Sequence, residues 1–380
     1  MADQQVDLAI VGLGAMGAAI AWQAALRGLS VAGFDAFEPP HPYGSTHGHS
    51  RIIREAYFEH PQYVPLVQRA YALWGELEAS ARMRLFQATG GLMLGQSGRT
   101  VIAGTLRAAA EHDLAVQTWT PSEVRTRVPA LAPDQDMIGL FEPRAGVLAP
   151  ERAVSAMLDQ ARRAGASLHL SERVHGWSSE QGHIDVRTAS RHVRARRLVL
   201  AAGSWLASIL GDLTLPLTVE RVVQYWYPTA GDDRFAPERF PIFLLEAPDG
   251  RMLYGVPDQG LGLKLAEHHG GSMTTADAVG RGISSEQTAR FHAFATRWVR
   301  DLPVGPVEAS VCLYTNTPDG DFILDWHPGA PGVFLCSACS GHGFKFAPAI
   351  GEAVASIVAT GVSARDLTPF QLARFLRRPI

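Results

Sequence analysis

VDLAIVGLGAMGAAIAWQAALRGLSVAGFDAF, residues 6–37, is the stretch that decides the fold. Its pattern predicts a buried strand over Asp7–Val11, a glycine-rich turn, a helix that ends near Gly28, and a second strand that closes at Asp35. A strand, a helix and a strand in this order form a βαβ unit with parallel strands. The stretch therefore indicates an α/β protein.

The turn is the run Gly12-x-Gly14-x-x-Gly17, in which each glycine has a physical role. Gly12 allows the tight turn, Gly14 lets the backbone approach a pyrophosphate, and Gly17 lets the helix pack closely on the strand. The start of the helix offers N–H groups and a partial positive charge to the phosphates. Asp35 ends the second strand where its carboxylate can accept hydrogen bonds from an adenosine ribose. These features predict a Rossmann-like dinucleotide site for FAD or NAD rather than NADP, and do not choose between the first two.

Composition excludes several classes of function. The chain has 380 residues, of which 37 are acidic and 34 basic, for a formal net charge of −3. It has no basic stripe, so we do not expect a nucleic-acid partner. Three cysteines, Cys312, Cys336 and Cys339, are too few for a disulfide framework and favour a reducing, cytoplasmic setting. The apolar stretch Leu8–Phe34 is interrupted by glycines and polar residues, so we predict neither a signal peptide nor a membrane span.

The rest of the chain predicts a second domain inserted into the first. Further helices are predicted near Pro61–Met83, Val101–His112, after the capping box Thr120-Pro121-Ser122-Glu123, and over Pro150–Ala164 and Ser285–Arg300. A strand, Val333–Ser337, and a helix, Ala347–Thr360, return to the opening pattern. We expect a discontinuous nucleotide-binding domain from residues 1–83, 150–215 and 310–380, and a strand-rich α+β substrate domain from residues 84–149 and 216–309.

Four later motifs resemble those of one enzyme family. They are GSTHGHSRIIREAY (44–57), YGVPDQGLGLKLAEHHGG (254–271), ASVCLYTNTPDGDFILDWHP (309–328) and SGHGFKFAPAIGE (340–352). In this order they are similar to monomeric sarcosine oxidase and N-methyltryptophan oxidase, which are FAD enzymes of the glycine and D-amino acid oxidase group. The resemblance covers essentially the whole chain. It implies that the nucleotide-binding domain is a Rossmann-like FAD-binding domain.

The resemblance also implies a covalent flavin, because Cys312 matches the cysteine that bonds to the flavin 8α-methyl group. Taken alone, a cysteine in an apolar stretch is more typical of an inert core position. The cofactor-binding residues that the motifs imply are Cys312, Gly12, Gly14, Ala15, Met16, Gly17, Asp35, Ser45, His47, Arg51, Val174, Gly203, Trp205, Gly341, Gly343, Phe344 and Lys345.

By the same resemblance, Arg54 and Lys345 hold the carboxylate of the substrate. A guanidinium can grip a carboxylate with two hydrogen bonds, and an ammonium adds a point charge. Tyr314 and Leu244 are the other substrate-binding candidates, and the catalytic candidates are Lys264, His268, Arg51 and Tyr254. His268 and His269 are adjacent, so only one of them can reach the pocket if both lie in a strand.

Lys264 and Lys345 are the only lysines among the 34 basic residues. Compared with a guanidinium, an ammonium is compact, and its pKa responds readily to burial. The resemblance places Lys264 against the flavin face opposite the substrate, where a fixed cation would stabilise the charge of superoxide as O₂ is reduced. Lys345 precedes the helix Ala347–Thr360, whose amino-terminal end can stabilise negative charge.

The chain departs from the family motif at Thr46, His49 and Ser50, and Leu244 stands where sarcosine oxidase has a methionine. These departures leave the substrate side chain open. The pair His47-x-His49 has no carboxylate or cysteine partner, so we expect no metal site.

The resemblance implies an oxidase that takes two electrons and a proton from an N-methyl amino acid, with formaldehyde and H₂O₂ as products. Sarcosine and N-methyl-L-tryptophan are the first substrates to consider, and a cyclic secondary amino acid such as pipecolate is an alternative. A flavin dehydrogenase that passes electrons to a carrier, an NAD-dependent dehydrogenase and a non-catalytic flavin-binding protein stay open as other interpretations. We expect a monomer without a membrane partner.

Overall fold

The computed structural model describes residues 4–180, 182–363 and 365–376 of the chain. Within these ranges the helices α1 to α8 span Ala15–Leu26, Val64–Ala81, Thr100–Glu111, Pro121–Arg127, Pro150–Arg163, Ser285–Ala295, Ala347–Thr360 and Ala373–Leu376. The strands β1 to β20 span Gln4–Val11, Val31–Phe34, Arg51–Ile53, Phe86–Ala88, Gly91–Gln96, Gln117–Trp119, Met137–Glu142, Gly146–Leu148, Ser167–His169, Val174–Glu180, His183–Thr188, His192–Leu200, Thr218–Tyr227, Ile242–Glu246, Met252–Val256, Leu263–His268, Ser272–Thr274, Glu308–Asn316, Ile323–Trp326 and Val333–Ser337.

The opening motif lies in a mixed sheet that has eight strands in the described part of the chain. Six of them follow the order β10-β11-β12-β1-β2-β9, with β20 beside β12 and β19 beside β20. β1 pairs in parallel with β2 and β12, and β12 pairs in parallel with β20. The predicted βαβ unit and the α/β class are therefore confirmed.

Helix α1 is buried almost throughout because small residues let it pack on both sides. A Cβ on Gly17 would lie 1.7 Å from the carbonyl oxygen of Gly12, so glycine lets the helix approach the turn. On the other side, a Cβ on Gly351 of α7 would lie 2.7 Å from the backbone of Ala19. α1 is thus clamped between the sheet and α7, and its amino-terminal end has a fixed position.

A second large sheet has nine strands among the described residues. Its main order is β17-β13-β16-β15-β14-β5-β7-β6, with β18 beside β13. Neighbouring strands are antiparallel except for β14 and β5, which are parallel. A small third sheet, β3-β8-β4, carries Arg51 on its first strand.

The division into two domains stays a proposal, but the sheets bear on its boundaries. The first sheet takes its strands from 4–34, 167–200 and 323–337, and the second from 91–142 and 218–316. β18 pairs with β13 from Glu308 to Asn316. The proposed boundary at residue 310 therefore cuts through a strand, and a boundary after Asn316 follows the sheets better.

Local predictions succeed where the backbone alone decides them. The capping box is present, since the Thr120 hydroxyl accepts from the Glu123 N–H and the Glu123 carboxylate accepts from the Thr120 N–H. The predicted helix Ser285–Arg300 is too long, because α6 ends at Ala295. After it, Arg300 N donates to Ala130 O at 2.8 Å, so tertiary pairing takes the chain out of the helix.

None of the described helices combines the length and the apolar character needed to cross a membrane.

Candidate active site

A cavity of about 480 Å³ draws its wall from both large sheets and their connections. The wall includes most of the predicted site residues, namely Gly12, Gly14, Ala15, Met16, Asp35, Ser45, Arg51, Arg54, Val174, Gly203, Trp205, Leu244, Tyr254, His268, Tyr314, Gly341, Gly343, Phe344 and Lys345. Gly17, His47, Lys264 and Cys312 lie behind it. Residues that are far apart in the sequence are therefore brought to one site.

The glycine turn before α1 forms one part of this wall. Gly12 has a φ of +90°, and a Cβ there would lie 2.5 Å from the carbonyl oxygen of Ala201. The Asp35 carboxylate accepts hydrogen bonds from the backbone N–H of Leu13 at 2.7 Å and of Phe37 at 2.9 Å. Burial raises the pKa of Asp35, and these two N–H groups oppose the shift. A backbone turn beside a held carboxylate fits the adenosine diphosphate half of FAD.

Two buried polar atoms near the wall have no hydrogen-bond partner among the described residues, Gln224 Oε1 and His47 Nε2. Gln224 is part of the wall, but its Oε1 has almost no exposed surface and lies so close to Gly48 that a Cβ there would be 2.1 Å away, so this atom does not face the cavity. Burial, together with the charges of Arg51 and Lys264, lowers the pKa of His47 to about 3, so its ring is neutral.

Cys312 lies on β18, just behind the wall. Its Sγ is 3.7 Å from Arg51 Nη2 and 3.7 Å from Ser45 O, and both of those residues line the cavity. Burial raises the pKa of the thiol, and the charges of Arg51 and Lys264 oppose this. The thiol is therefore close to the cavity and next to a cation that would favour its thiolate.

Lys264 lies on β16 behind the segment 48–50. Its Nζ donates to Gly48 O at 2.7 Å and to Ser50 O at 3.1 Å, and it lies 5.2 Å from the centre of the Trp226 ring. Burial, reinforced by Arg51, lowers the pKa of this ammonium well below its usual range. The backbone thus holds the Lys264 nitrogen at a defined point beside the wall.

Lys345 precedes α7 and forms part of the wall itself. Its Nζ donates to His342 O at 2.7 Å and to Tyr57 Oη at 3.2 Å. Burial lowers the pKa of Lys345 to about 7, the charge of Arg54 adds to this, and Glu59 opposes it. The charge of this lysine therefore responds to pH in the physiological range.

Arg54 is paired with a carboxylate that the sequence analysis missed. Its Nη2 donates to Glu59 Oε2 at 2.6 Å and its Nη1 to Ala56 O at 2.9 Å. The guanidinium also lies 4.3 Å from the centre of the Tyr57 ring and 4.5 Å from that of Phe58. Burial alone would raise the pKa of Glu59, but Arg54, the nearest of several cations, holds it below its usual range.

Glu59 also lines the cavity, so a ligand carboxylate and Glu59 would compete for Arg54. The sequence offered one hint of Glu59, because a buried arginine requires a counter-charge. The acid lies five residues after Arg54, outside the helix and strand patterns.

Neutral polar rings face the cavity from β15, β16 and β18. His268 Nδ1 lies 3.5 Å from Tyr314 Oη, while His269 leaves the strand with a φ of +63° and bonds to Glu220 at 3.0 Å. Burial and nearby positive groups lower the pKa of His268 well below its usual range. Burial raises the pKa of Tyr254 to about 12. These groups therefore offer hydrogen bonds without charge near pH 7.

The wall has an apolar side around Leu244. Phe58, Met93 and Val256 pack in the same cluster as Leu244 and line the cavity with it. They come from separate segments and carry no motif, so no pattern in the sequence indicates them.

The departures from the family motif have distinct surroundings. Thr46 Oγ1 accepts from Ala15 N at 3.4 Å, at the start of α1. His49 is exposed, has a φ of +64° and lies 3.8 Å from a Glu308 oxygen, while the Ser50 carbonyl is one of the acceptors of Lys264. No group of His, Cys, Asp and Glu side chains suited to a metal ion occurs among the described residues.

The chain is similar to proteins of known activity over nearly its full length. The sequence profile of the family named FAD dependent oxidoreductase matches residues 7–357. Monomeric sarcosine oxidase of Streptomyces avermitilis is 38% identical over 378 residues, which cover 98% of this chain and 98% of that protein. N-methyl-L-tryptophan oxidase of Yersinia pestis is 37% identical over 372 residues, which cover 97% of this chain and 99% of that protein.

Solved structures share the fold. NikD, an amino acid oxidase essential for nikkomycin biosynthesis, aligns with a TM-score of 0.85 at 22% identity over 97% of each chain. L-proline dehydrogenase from P. horikoshii aligns with a TM-score of 0.85 at 20% identity over 99% of each chain. At these identities the likeness shows the fold alone. The profile match and the curated relatives show more, and they confirm the predicted resemblance: the chain belongs to the family of FAD-dependent oxidoreductases, in the group of monomeric sarcosine oxidase and N-methyl-L-tryptophan oxidase.

Proposed function

We propose that this protein oxidises the secondary amine of an N-methyl amino acid, with FAD as its cofactor and O₂ as the final oxidant. Water would hydrolyse the imine that the oxidation leaves, so the products would be the amino acid, formaldehyde and H₂O₂. The observation that carries the proposal is the convergence of two buried cations, Arg54 and Lys345, on the cavity that also contains the dinucleotide turn. The names of the curated relatives at 37–38% identity support the same substrate class.

When bound, FAD supplies the two-electron acceptor, and the chain supplies binding and orientation. Gly12 and Gly14 would hold the pyrophosphate, and Asp35 the adenosine ribose.

The charges of the cavity favour an anionic group on the substrate. Arg54 and Lys345 are both cationic below the pKa of Lys345, about 7, and Glu59 offsets one of the two charges. A carboxylate that bonds to Arg54 and to Lys345 would make charge-assisted hydrogen bonds in a site with little water. The carboxylate would thereby fix the substrate in one orientation.

The same charges act on the substrate amine. Arg51, Arg54 and Lys345 disfavour an ammonium nearby, so they favour loss of the amine proton, which frees the nitrogen lone pair before oxidation. His268 is neutral and half-buried, and it can hydrogen-bond to the amine without adding charge. The apolar side around Leu244 would receive the N-methyl group or an apolar side chain.

The proposal is tested by measuring H₂O₂ and formaldehyde from a panel of N-methyl amino acids, pipecolate, and the matching carboxamides. Equal amounts of both products from sarcosine or N-methyl-L-tryptophan, and little turnover of the carboxamides, are expected. If only pipecolate gave H₂O₂, and gave it without formaldehyde, the substrate would be a cyclic secondary amino acid and not an N-methyl amino acid. Substrate oxidation without H₂O₂ under air would indicate a dehydrogenase.

We also propose that the flavin is bonded to Cys312, because this thiol lies 3.7 Å from Ser45 and Arg51 on the wall. Acid precipitation should leave the yellow colour in the protein pellet. Cys312→Ser should release the colour into the supernatant, whereas Cys336→Ser, which alters another buried thiol, should not. Free FAD in the supernatant of the unaltered protein would contradict the bond.

We also propose a reducing, cytoplasmic setting, since Cys312, Cys336 and Cys339 form no disulfide with one another. We propose a monomer, which size-exclusion chromatography with light scattering would test.

A further inference from the structure

A series of hydrogen bonds connects Lys345 with Tyr57 and with His342, which also lines the cavity. Lys345 Nζ lies 3.2 Å from Tyr57 Oη, Tyr57 Oη lies 2.7 Å from His342 Nδ1, and His342 Nε2 lies 3.0 Å from Gly320 O. Tyr57 has no exposed surface, and His342 is 8% exposed. Tyr57 is not part of the cavity wall, so the proposed function gives it no role.

The last hydrogen bond of this series, to Gly320, determines which group donates and which accepts at each earlier step. The carbonyl of Gly320 can only accept, so His342 Nε2 must carry a hydrogen. Burial lowers the pKa of His342 to about 4, so the ring is neutral and Nδ1 has a lone pair. Burial raises the pKa of Tyr57 well above its usual range, so its hydroxyl keeps its proton. Tyr57 therefore donates to His342 Nδ1 and turns its lone pairs towards Lys345.

This direction also determines how the Lys345 ammonium is used. An ammonium has three N–H groups. Two of them donate to Tyr57 Oη and His342 O. Because Lys345 lines the cavity, the third N–H is available to a ligand there.

The other groups around Lys345 would not keep it charged by themselves. Arg54 and Arg51 are cationic and oppose a further positive charge, while Glu59 favours it but is bonded to Arg54. His268 is neutral. The hydroxyl of Tyr57 is thus a neutral acceptor that offsets the loss of water around the ammonium.

We propose that Tyr57, oriented by His342, is a positioning residue that keeps Lys345 as an ammonium aimed into the cavity, and that it thereby sets the upper pH limit for binding of the substrate carboxylate. The inference rests on the proposed function, because it assumes a carboxylate ligand.

The test compares Tyr57→Phe with Tyr63→Phe in the holoenzyme. Tyr63 is a matched control, since it is equally buried and its ring packs 5.0 Å from that of Tyr57, but its hydroxyl donates to Asp321 at 2.6 Å. The probe is butanoate, which is sarcosine with a methylene in place of the amine N–H, and butanamide is its uncharged counterpart. Binding is followed by the flavin absorbance from about pH 6 to about pH 9, across the titration of Lys345.

Butanoate should bind the unaltered protein more weakly as the pH rises through the pKa of Lys345, about 7, because only the ammonium attracts the carboxylate. In Tyr57→Phe the ammonium loses an acceptor, so the loss should begin at a lower pH. Near neutral pH we expect the Kd of Tyr57→Phe to rise roughly tenfold, or ~1.4 kcal/mol. Tyr63→Phe should follow the unaltered protein, and butanamide should show no pH dependence in any variant.

A pH profile of Tyr57→Phe that matches that of Tyr63→Phe would overturn the positioning role and leave carboxylate binding intact. An equal loss for butanoate and butanamide at every pH would show a merely structural role for Tyr57 and would also overturn it. If the unaltered protein binds butanoate no better than butanamide at any pH, the carboxylate site of the proposed function fails, and the positioning role fails with it.

Discussion

The two lysines of this chain are both buried, yet their surroundings differ in kind. Lys264 Nζ is held by two backbone carbonyls, those of Gly48 and Ser50, and lies behind the cavity wall. Lys345 Nζ is held by one carbonyl and by the hydroxyl of Tyr57, and lies in the wall. Backbone carbonyls stay in place when ligands or protons come and go, whereas a side-chain hydroxyl depends on its own partners.

The comparison suggests two uses for the same ammonium. Lys264 can act as an ammonium that the backbone holds at a fixed place beside the cavity, while Lys345 can act as a charge in the wall that responds to a bound anion and, with a pKa of about 7, to pH. A guanidinium suits neither position, because its planar fork has five N–H donors and would need more acceptors than either lysine finds. Every other basic residue of the chain is an arginine, so the two lysines mark the positions where a compact cation is required.

The largest effect is expected from Lys264→Met. Anaerobic reduction of the holoenzyme by substrate should stay largely intact, because the side chain is absent from the cavity wall. Reoxidation by O₂ should slow by about 10²–10³, since loss of one preorganised charge removes the stabilisation of superoxide. Stopped-flow absorbance of the two half-reactions measures both rates.

Lys264→Arg is the matched variant, and it should restore reoxidation only in part because its charge cannot lie where the ammonium lay. Met at position 264 also leaves the Gly48 and Ser50 carbonyls without their donor, so it should lower the thermal midpoint. A lower midpoint with unchanged reoxidation would assign Lys264 a structural role only.

Lys345→Met should instead weaken carboxylate binding. A charge-assisted hydrogen bond contributes about 1.5–3 kcal/mol, so the Kd of butanoate should rise roughly ten- to a hundredfold. Butanamide should bind as before, and Lys264→Met should bind butanoate nearly as the unaltered protein does. Equal losses of butanoate affinity in Lys345→Met and Lys264→Met would show that the two lysines do not differ in their contribution to carboxylate binding.

A smaller effect in the opposite direction is expected from Glu59→Gln. Glu59 occupies Arg54, so its neutral replacement should tighten butanoate binding about fivefold, or ~1 kcal/mol. Glu59 also raises the pKa of Lys345, so this gain should shrink as the pH rises above neutral. Titrations with butanoate at about pH 6 and about pH 8 would compare the gain in affinity below and above the pKa of Lys345.

Glu352→Gln is the control for Glu59→Gln, since it breaks the Arg69–Glu352 pair, with Nη2 and Oε1 2.6 Å apart, outside the cavity. It should leave butanoate binding unchanged. Weaker butanoate binding by Glu59→Gln at both pH values would mean that Glu59 is needed to hold Arg54 in place.

The parts of the molecule that local backbone chemistry determines could be predicted from the sequence. The glycine turn at Gly12, the strand Val333–Ser337 and the helix Ala347–Thr360 lie where the pattern placed them. Their residues are close in sequence, and glycines, periodicity and caps act over a few positions. The resemblance added the cavity side chains that short-range patterns do not show.

The charge network around Lys345 could not be predicted in this way. Tyr57 and Lys345 are 288 positions apart, and Tyr57 and His342 are 285 apart. Nothing in a tyrosine near Arg54 indicates which buried atoms its hydroxyl will meet, because that depends on how the segment after β3 packs against the segment before α7. The difference between the two lysines is therefore a property of the tertiary structure.

The smallest effect concerns stability. The pKa of Lys345 is about 7 in the folded protein, whereas an unfolded lysine has a pKa of about 10.4. Between these values the unfolded chain holds a proton that the folded chain does not, so this group makes the unaltered protein more stable as the pH rises.

Lys345→Met removes the titration, although it leaves Tyr57 Oη and His342 O without a donor. The thermal midpoint of Lys345→Met minus that of the unaltered protein should therefore be greatest at or below neutral pH. It should fall by a few degrees towards about pH 10, as differential scanning fluorimetry would measure. A difference that is constant across this range would show that Lys345 keeps the ordinary pKa of a lysine and stays charged near neutral pH.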